Sequence, residues 1–230
     1  EWLYADMGIL GIGAVVIPIY TTLVVEEIKY ILQNSGTRVL LVENRLHLSK
    51  ALEIAADLPS LEKIVVFEDP EAKANAGIMS FAALCDLGRE LHAKAPDLFS
   101  QLARAVVPDD LATIVYTSGT TGVPKGAMIT HKNIMAVIHS LDGITPKFGF
   151  ETDQTVPFLP LSHVFERIAG HFYGMFVGLT ASYAESLDTF ARDVKEKRPT
   201  MVLAVPRVCE KVYQRILAQV QEQPAWKQKM

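Results

Sequence analysis

The chain has 230 residues, of which 50% are apolar and 21% are charged, and its formal net charge is −4 at pH 7. This length suits one or two globular domains with a sizeable core. Charges of both signs are interspersed, without the basic face or tail that nucleic-acid-binding proteins use to contact phosphates. The composition therefore predicts a globular protein that does not bind nucleic acid.

Two apolar stretches approach the length of a membrane span. Met7–Tyr20 is uncharged but has only fourteen residues, carries three glycines and Pro18, and follows acidic residues. Ile168–Ala184 has seventeen residues without a formal charge, but His171 and three glycines interrupt it and its end is strand-like. We therefore predict no transmembrane segment, and we interpret Met7–Tyr20 as a packed helix that runs into a strand.

Helical patterns follow one another along the chain, and several end at a glycine or a proline. They are Val25–Asn34, Leu46–Ala56, Phe81–His92, Lys132–Leu141 (closed by Gly143), Val164–Phe176, Leu187–Lys197 and Arg207–Gln221. Asp69–Gly77, which precedes the predicted helix Phe81–His92, is interpreted as a polar connection.

Short apolar runs between these helices predict strands. They are Val15–Tyr20, Arg38–Val42, Lys63–Phe67, Leu111–Tyr116, Gly126–Thr130, Gln154–Leu159, Leu179–Ala184 and Thr200–Val205. The alternation predicts an α/β fold of layered, mostly parallel sheets with flanking helices. Ligand sites of such folds gather at the carboxyl ends of strands.

The cysteine and histidine patterns exclude several kinds of site. Cys85 and Cys209 lie far apart and outside any C-x-x-C pattern, which favours a reducing compartment, and we expect both to be buried apolar residues. The sequence contains no H-E-x-x-H motif, no Cys/His cluster with zinc spacing and no G-x-S-x-G elbow. We therefore predict a cytoplasmic protein that is neither a zinc protein nor a common hydrolase.

Tyr116–Gly126 has the sequence Y-T-S-G-T-T-G-V-P-K-G, in which four of eleven residues are Ser or Thr and three are Gly. A loop of such small residues exposes many backbone N–H groups, and its hydroxyls and Lys125 add donors that suit a polyphosphate. It is not a Walker loop, because it lies between two predicted strands and its glycine–lysine spacing differs. The segment predicts a nucleotide-phosphate loop of another type.

Two later segments carry further patterns. Phe158–Arg167 reads F-L-P-L-S-H-V-F-E-R and places His163 at the turn between a predicted strand and a predicted helix. Ala204–Val212 reads A-V-P-R-V-C-E-K-V and follows the last predicted strand. The loop at Thr117 and the turn at His163 both begin at the carboxyl ends of strands, where ligand sites are expected.

These segments resemble motifs of the AMP-forming adenylating enzymes, the superfamily of acyl-CoA synthetases, firefly-type luciferases and peptide-synthetase adenylation domains. Tyr116–Gly126 resembles the phosphate-loop motif, and Phe158–Arg167 is similar to the substrate-pocket motif. The E-R ending after H-V-F and the V-P-R turn of Ala204–Val212 resemble the long-chain fatty acyl-CoA synthetase branch. Ala5–Tyr20 looks like the helix-to-strand start of that fold, so the resemblance covers nearly the whole chain.

The resemblance implies that ATP activates a long-chain fatty acid to an acyl-adenylate, from which coenzyme A then forms the acyl-CoA thioester. Mg²⁺ is implied as the ion that bridges the phosphates, with Thr117 as the loop residue nearest to it. The implied phosphate-binding residues are Thr117, Ser118, Gly119, Thr120, Thr121, Gly122 and Lys125.

The resemblance also implies roles for individual side chains. Lys125 and His163 are the implied catalytic residues, although a solvated lysine and a structural histidine are the ordinary alternatives. His163 is expected to position the substrate rather than to act as a base, because a carboxylate is already ionised at neutral pH. Phe165 and Arg167 are expected near the acyl channel. The implied tunnel residues Val205 and Pro206 either line that channel or only turn the chain into the last helix.

The superfamily motifs for adenine, the acidic magnesium ligand, the ribose, the interdomain hinge and the adenylation lysine lie further along its members and are not found before Met230. We interpret residues 1–230 as a partial amino-terminal AMP-binding domain, truncated at both ends, without the small carboxyl-terminal domain and inactive by itself. Two alternatives remain open: adenylation of an aryl acid, a luciferin-like acid or an amino acid, and a non-catalytic nucleotide-binding fragment. The sequence also leaves open the oligomeric state and peripheral attachment to the inner face of a membrane.

Overall fold

The computed structural model describes residues 1–68, 77–117, 123–145, 152–186 and 188–221. The chain divides into two compact units, Glu1–Ala136 and Val137–Met230. Each unit has its own sheet strands and its own buried residues. The predicted polar connection Asp69–Gly77 lies outside the described residues except for its last member.

The first unit alternates helices and strands, as the sequence predicts. In chain order its elements are α1 (Trp2–Gly11), α2 (Val25–Ser35), β1 (Val39–Asn44), α3 (Arg45–Ala55), β2 (Lys63–Glu68), β3 (Ile78–Ser80), α4 (Phe81–Lys94), α5 (Leu98–Ala105), β4 (Leu111–Thr117) and β5 (Lys125–Thr130). Helix α6 (His131–Ile144) follows β5, and the division between the units falls within it.

The strands β1, β2 and β3 form a parallel sheet in that order. Helix α3 is the crossover between β1 and β2 and packs on the sheet, which is the arrangement that a β-α-β sequence pattern favours. The apolar residues that these elements share form one core cluster: Val42, Leu48, Ala51, Ile64 and Val66.

Polar residues and a glycine fix the helix ends of this unit. The Asn44 side chain accepts hydrogen bonds from the backbone N–H groups of Leu46 (3.0 Å) and His47 (3.3 Å), so Asn44 caps the start of α3. Helix α2 ends at Gly36, which adopts a left-handed backbone with φ of 63°. The predicted ends of these two helices are therefore correct to within a residue or two.

The strands β4 and β5 form an antiparallel pair, and the chain at Val16 pairs with the other edge of β4. The Val16 N–H group donates to the Ala112 carbonyl (3.0 Å), and the buried Thr113 hydroxyl donates to the Val16 carbonyl (2.7 Å). The predicted strand Val15–Tyr20 is wrong beyond this bridge, because Pro18 has no N–H group with which to extend the pairing.

The second unit is built around a wide helical turn and short strands. After α6 its elements are β6 (Gln154–Thr155), a π-helix (Glu166–Phe172), α7 (Tyr173–Val177), β7 (Thr180–Ala181), α8 (Phe190–Lys197) and α9 (Pro206–Gln221). β6 pairs in parallel with β7, and Thr155 forms a parallel bridge with Met201.

The strands of the second unit are shorter than predicted. Gln154–Leu159 and Leu179–Ala184 each shrink to a two-residue strand, and Thr200–Val205 shrinks to a single bridge. Pro157 and Pro160 explain the first of these, because neither residue can donate a ladder hydrogen bond. The mostly parallel α/β architecture is nevertheless confirmed, with β4 and β5 as its antiparallel exception.

Several local features differ from the prediction. Strand β3 and helix α5 were not predicted, and α6 continues one residue past Gly143. The predicted helix Val164–Phe176 is mainly a π-helix followed by a short α-helix. Among the described residues, no helix combines the length and apolar character that a bilayer crossing requires. Cys85 is half-buried and Cys209 is exposed, so the expectation of a buried side chain is wrong for Cys209.

Candidate functional site

The antiparallel pair β4–β5 holds the two ends of the predicted phosphate loop. Thr117 is the last residue of β4, Lys125 is the first residue of β5, and the two lie opposite each other in the ladder. Both residues are exposed. The predicted phosphate-binding residues between them, namely Ser118, Gly119, Thr120, Thr121 and Gly122, lie outside the described residues. The hairpin therefore brings together the hydroxyl and the ammonium group that the sequence assigns to phosphate binding.

Close packing explains the glycine that follows Lys125. A Cβ atom on Gly126 would lie 2.7 Å from Ile114 Cγ2 and 3.1 Å from the ring of Tyr116, its partner in the ladder. The Tyr116 hydroxyl donates a 2.6 Å hydrogen bond to Asn34 at the end of α2, and burial raises the pKa of that phenol. Tyr116 thus attaches the hairpin to the rest of the first unit, and the next ladder pair, Thr117 and Lys125, flanks the connecting segment.

Replacing Gly126 with alanine should lower the free energy of unfolding by about 1–3 kcal/mol, because the added methyl group overpacks against Ile114. Urea unfolding followed by circular dichroism measures the change. Gly88 in α4 is the matched control, since a Cβ there meets nothing within 4 Å. Gly88→Ala should stabilise the chain by about 0.5–1 kcal/mol through helix propensity. Equal effects of the two substitutions would contradict the packing argument.

The donor set at the hairpin suits a nucleotide that carries its own magnesium ion. Thr117 offers one neutral oxygen and Lys125 one cation, whereas Mg²⁺ prefers several carboxylate, phosphate or water oxygens. Within the described residues there is no group of three or more His, Cys, Asp or Glu side chains that could hold a metal ion by itself. Thr117 can therefore supply one ligand to a magnesium ion whose other ligands come from phosphates and water.

In the second unit, the motif Phe158–Arg167 forms a turn that leads into the π-helix. The His163 N–H group donates to the Pro160 carbonyl (2.9 Å), and the Arg167 N–H group donates to the His163 carbonyl (3.0 Å). The backbone of His163 is therefore held from both sides, while its side chain is exposed.

The His163 ring has a defined orientation. The backbone N–H group of Phe165 donates to His163 Nδ1 at 3.2 Å, so Nδ1 acts as an acceptor. In a neutral imidazole the proton then lies on Nε2, because one ring nitrogen donates when the other accepts. His163 thus presents an N–H donor to solvent, which suits a carboxylate or phosphate oxygen and does not suit a general base.

The two neighbouring residues assigned to the acyl channel differ sharply in exposure. Phe165 is 38% exposed, and its ring is available to an apolar ligand. Arg167 is fully buried, with its guanidinium group over the Phe172 ring at 5.1 Å from the centroid. In this structure the Arg167 side chain lies in the core of the unit and is not exposed to a ligand, so its expected place near an acyl channel stays a prediction.

The sequence reasoning missed a buried polar group on the same helix. Glu166 is 1% exposed, and neither of its carboxyl oxygens has a hydrogen-bond partner in the described part of the chain. His171 is 4% exposed, and its Nδ1 lies 2.7 Å from the Tyr183 hydroxyl. Burial raises the pKa of Glu166 to about 7, whereas burial and the nearby Arg167 guanidinium lower the pKa of His171 to about 4. In the sequence, the charged residues Glu166 and Arg167 directly precede the apolar stretch Ile168–Ala184, and this position could have indicated their burial.

Val205 and Pro206 lie where the chain enters α9. Pro206 is the first residue of that helix, a position that tolerates proline because its missing N–H group would have no helical partner. The Val205 carbonyl accepts hydrogen bonds from Val208 (2.9 Å) and Cys209 (3.4 Å). This geometry accounts for the turn into the helix, and the role of both residues in an acyl channel stays a prediction.

A family model described as AMP-binding enzyme matches residues 1–229 of the chain. The chain belongs to the AMP-binding enzyme family. The family match confirms the resemblance to adenylating enzymes that the motifs predicted.

Curated relatives of this AMP-binding chain carry a consistent name. The long-chain-fatty-acid–CoA ligase ACSBG1 of Rattus norvegicus is 33% identical over 221 residues, which cover 94% of this chain and 30% of that protein. The long-chain-fatty-acid–CoA ligase FadD15 of Mycobacterium bovis is 32% identical over 220 residues, which cover 93% of this chain and 34% of that protein. The chain thus spans about a third of the length of these relatives.

Solved structures of adenylating enzymes share the fold of this chain. The adenylation domain of a carboxylate reductase from Mycobacterium chelonae aligns with a TM-score of 0.68 at 29% identity, covering 96% of this chain and 36% of that one. The anthranilate CoA ligase AuaEII, in complex with anthranoyl-AMP, aligns with a TM-score of 0.66 at 24% identity, covering 88% of this chain and 37% of that one. The latter similarity shows the fold alone. Together the alignments confirm the predicted architecture as that of the amino-terminal domain of adenylating enzymes.

Proposed function

We propose that this chain supplies the phosphate-binding hairpin and part of the acid-binding pocket of an AMP-forming long-chain fatty acid–CoA ligase. The observation that carries the proposal is the pairing of Thr117 with Lys125 on either side of a hairpin's connecting segment, which is rich in Gly, Ser and Thr. Curated relatives at about a third identity are named long-chain-fatty-acid–CoA ligases, which supports the choice of substrate class.

The proposed first step joins the fatty acid to AMP. A carboxylate oxygen of the fatty acid attacks the α-phosphorus of ATP, the bond from that phosphorus to the bridging oxygen breaks, and pyrophosphate leaves with the bonding electrons. Both reactants are anionic, so the protein must neutralise phosphate charge and hold the attacking oxygen in line. Lys125 and the donors of the hairpin loop would supply that charge and positioning, and Thr117 would be one ligand of a magnesium ion that neutralises phosphate charge.

The proposed second step transfers the acyl group to coenzyme A. The thiolate sulfur of coenzyme A attacks the acyl carbon of the mixed anhydride, and AMP leaves as the carbon–oxygen bond breaks; the thiol proton passes to solvent. AMP is a good leaving group because the phosphate oxygen that departs is the conjugate base of a fairly strong acid, with a second phosphate pKa of about 6. No residue of this chain is assigned to the second step.

His163 is the proposed positioning residue for the carboxylate. Its Nε2–H group faces solvent because the Phe165 N–H group occupies Nδ1, so the ring donates to an anionic oxygen without taking a proton. Phe165 lies beside it with an exposed ring that suits an acyl chain. Arg167 is proposed to support this turn from the core, and Val205 and Pro206 are proposed to line the acyl channel.

Replacing His163 with alanine should raise the KM for the fatty acid by about tenfold to a hundredfold, which is the loss expected for one hydrogen bond to a charged group. The KM for ATP should change much less. ATP–pyrophosphate exchange, measured at varied concentrations of each substrate, separates the two values. His92→Ala, at an exposed position of α4, is the control. Unchanged kinetics for both substrates in His163→Ala would defeat this role.

The acid specificity requires its own experiment on the longest protein that the gene encodes. We expect ATP–pyrophosphate exchange to depend on long-chain fatty acids and to be weak with aryl acids, luciferin-like acids and amino acids. A preference for one of these other acids would favour the alternative adenylation reaction. Absence of magnesium-dependent ATP binding by calorimetry would instead favour a non-catalytic fragment and would refute the proposed function.

The domain organisation and location follow from the same proposal. Because the chain spans about a third of its named relatives, we propose that residues 1–230 form part of a larger amino-terminal AMP-binding domain and are inactive by themselves. We place the protein in the cytoplasm, where ATP and coenzyme A are available, with access to fatty acids at the inner face of a membrane. Cosedimentation with lipid vesicles tests the last point.

A further inference from the structure

Glu166 has a buried carboxyl group that the proposed chemistry does not use. Its side chain is 1% exposed, and neither oxygen is hydrogen-bonded among the described residues. Buried polar groups are normally paired, and natural proteins retain exceptions mainly at functional or strained sites. The residue therefore calls for a reason beyond packing.

The Glu166 carboxyl group occupies the space that a side chain at Gly170 would need. A Cβ atom on Gly170 would overlap the Glu166 carboxyl group, at 2.8 Å from its Cδ atom, and would lie 3.3 Å from Leu203 Cδ2. Glu166 thus packs over Gly170 one turn further along the π-helix, beside an apolar side chain. The size of residue 166 and the absence of a side chain at residue 170 are coupled.

The same residue lies between the two contacts that hold His163. The N–H group of Phe165 donates to His163 Nδ1, and the N–H group of Arg167 donates to the His163 carbonyl. These donors are the residues directly before and after Glu166. Glu166 also begins the π-helix, a wide turn of a kind that recurs at functional sites. A movement of the Glu166 backbone would therefore disturb the ring orientation of His163.

We propose that Glu166 is a proton-linked positioning residue, which holds the His163 turn in its carboxylate-binding geometry while its buried carboxyl group is neutral. Ionisation creates a charge in a buried site where neither carboxyl oxygen has a hydrogen-bond partner among the described residues, so the side chain moves toward water and displaces the turn. This inference rests on the proposed role of His163 in binding the fatty acid carboxylate.

Ionisable residues of the described chain lie near Glu166 in sequence and through its helix. Its own helix contributes Arg167 and His171, and Tyr183 contacts His171. The segment Met201–Val205, which approaches Gly170 through Leu203, has no ionisable residue. Burial raises the pKa of Glu166 to about 7, so the neutral and ionised forms exchange near neutral pH.

The test compares the pH dependence of the KM for a long-chain fatty acid in wild-type and Glu166→Gln forms of the longest gene product. Glutamine has the same shape and does not titrate. One pH unit above a pKa of about 7, only about a tenth of the carboxyl groups remain neutral. The wild-type KM, divided by that of E166Q, should therefore rise about tenfold between pH 6 and about pH 8, with kcat little changed.

Glu210→Gln is the matched control, since Glu210 is an exposed glutamate of the same unit and its substitution should preserve the wild-type pH profile. Should E166Q fold poorly, Glu166→Met provides a second non-titrating side chain of similar length for the same ratio. A pH profile shared by the wild type and the non-titrating variant would overturn the inference while leaving the proposed function intact. A wild-type protein without fatty-acid-dependent exchange at any pH would overturn both.

Discussion

Replacing Lys125 with alanine should slow adenylate formation by roughly ten- to a thousandfold, the range observed when a preorganised donor to developing charge is removed. Lys125 is exposed at the first position of β5, opposite Thr117. Within the described part of the chain, no carboxylate forms an ion pair with it. Its ammonium group is therefore available to a phosphate that binds beside the connecting segment of the hairpin.

The expected loss has a lower and an upper limit for physical reasons. The loop sequence offers further N–H groups and hydroxyls that are proposed to share the phosphate charge with Lys125, so the substitution should not abolish the reaction. A lysine ammonium group nevertheless provides a full charge on a flexible stem, which neutral donors cannot replace. Lys125→Arg retains the charge with a different shape and should give an intermediate rate.

The measurement is ATP–pyrophosphate exchange at saturating fatty acid, which reports the adenylation step alone. Lys132→Ala is the matched control, because Lys132 is an exposed lysine near the same hairpin whose Nζ lies 3.6 Å from Asp109 Oδ1. Lys132→Ala should exchange at the wild-type rate, since a surface ion pair contributes little to the stability of the fold and Lys132 is not assigned to phosphate binding. Exchange at the wild-type rate in Lys125→Ala would show that Lys125 is an ordinary surface lysine.

The hairpin that carries Lys125 was predictable from local sequence. Two short apolar runs predict β4 and β5, and the Gly- and Thr-rich segment between them favours a loop rather than a helix. The need for glycine at residue 126 was not predictable, because it depends on the ring of Tyr116 in the opposite strand. Side chains that meet across a ladder are set by register, which a single strand does not reveal.

The non-local pairings were the main source of error. Val15–Tyr20 and Thr200–Val205 have the composition of buried strands, yet each contributes one bridge. Composition states that a segment is apolar and extended, but the number of ladder bonds depends on the partner strand and on nearby prolines. Both segments remain beside a strand, so their extended character was predicted correctly and their strand lengths were not.

The interior of the His163 motif was hidden for a different reason. A regular α-helical period places successive charged residues such as Glu166 and Arg167 partly on a solvent-facing side. The chain instead forms a π-helix over Glu166–Phe172, all of whose residues are buried. The wider turn changes which side chains face the core. The motif predicts a site at this turn but does not show that two of its charged residues are internal.

The buried acid Glu166 and the buried base His171 should have opposite effects on the pH dependence of the free energy of unfolding. Burial raises the pKa of Glu166 from 4.5 to about 7. Between these values the folded chain keeps a proton that the unfolded chain has released, so the free energy of unfolding falls as pH rises. The total decrease is about 3 kcal/mol, at about 1.4 kcal/mol for each pH unit.

His171 should change the free energy of unfolding with pH in the opposite direction. Burial and the Arg167 guanidinium lower its pKa from 6.5 to about 4. Between these values the unfolded chain binds a proton that the folded chain excludes, so the free energy of unfolding rises with pH, again by about 3 kcal/mol in total. The two windows overlap from pH 4.5 to pH 6.5, and there the two slopes should cancel.

Single substitutions should expose each slope. In Glu166→Gln the contribution of this pair to the free energy of unfolding should rise by about 3 kcal/mol from pH 4 to pH 6.5, because His171 is the member of the pair that still titrates. In His171→Gln that contribution should fall by a similar amount from pH 4.5 to pH 7, because Glu166 is the member that still titrates. Urea unfolding of the chain at a series of pH values, followed by circular dichroism, measures both.

The double variant Glu166→Gln, His171→Gln separates this linkage from a general loss of packing. It should be less stable than the wild type by an amount that does not change with pH across the shared window, since both titrating groups are gone. The two residues lie on one π-helix, so their packing effects need not add, and the pH dependence rather than the size of the stability change is the relevant result. A flat profile in one of the single variants would show that the group that this variant retains, His171 in Glu166→Gln or Glu166 in His171→Gln, has the same proton affinity in the folded and unfolded chains. For Glu166 that result would also remove the physical basis for its proton-linked control of the His163 turn.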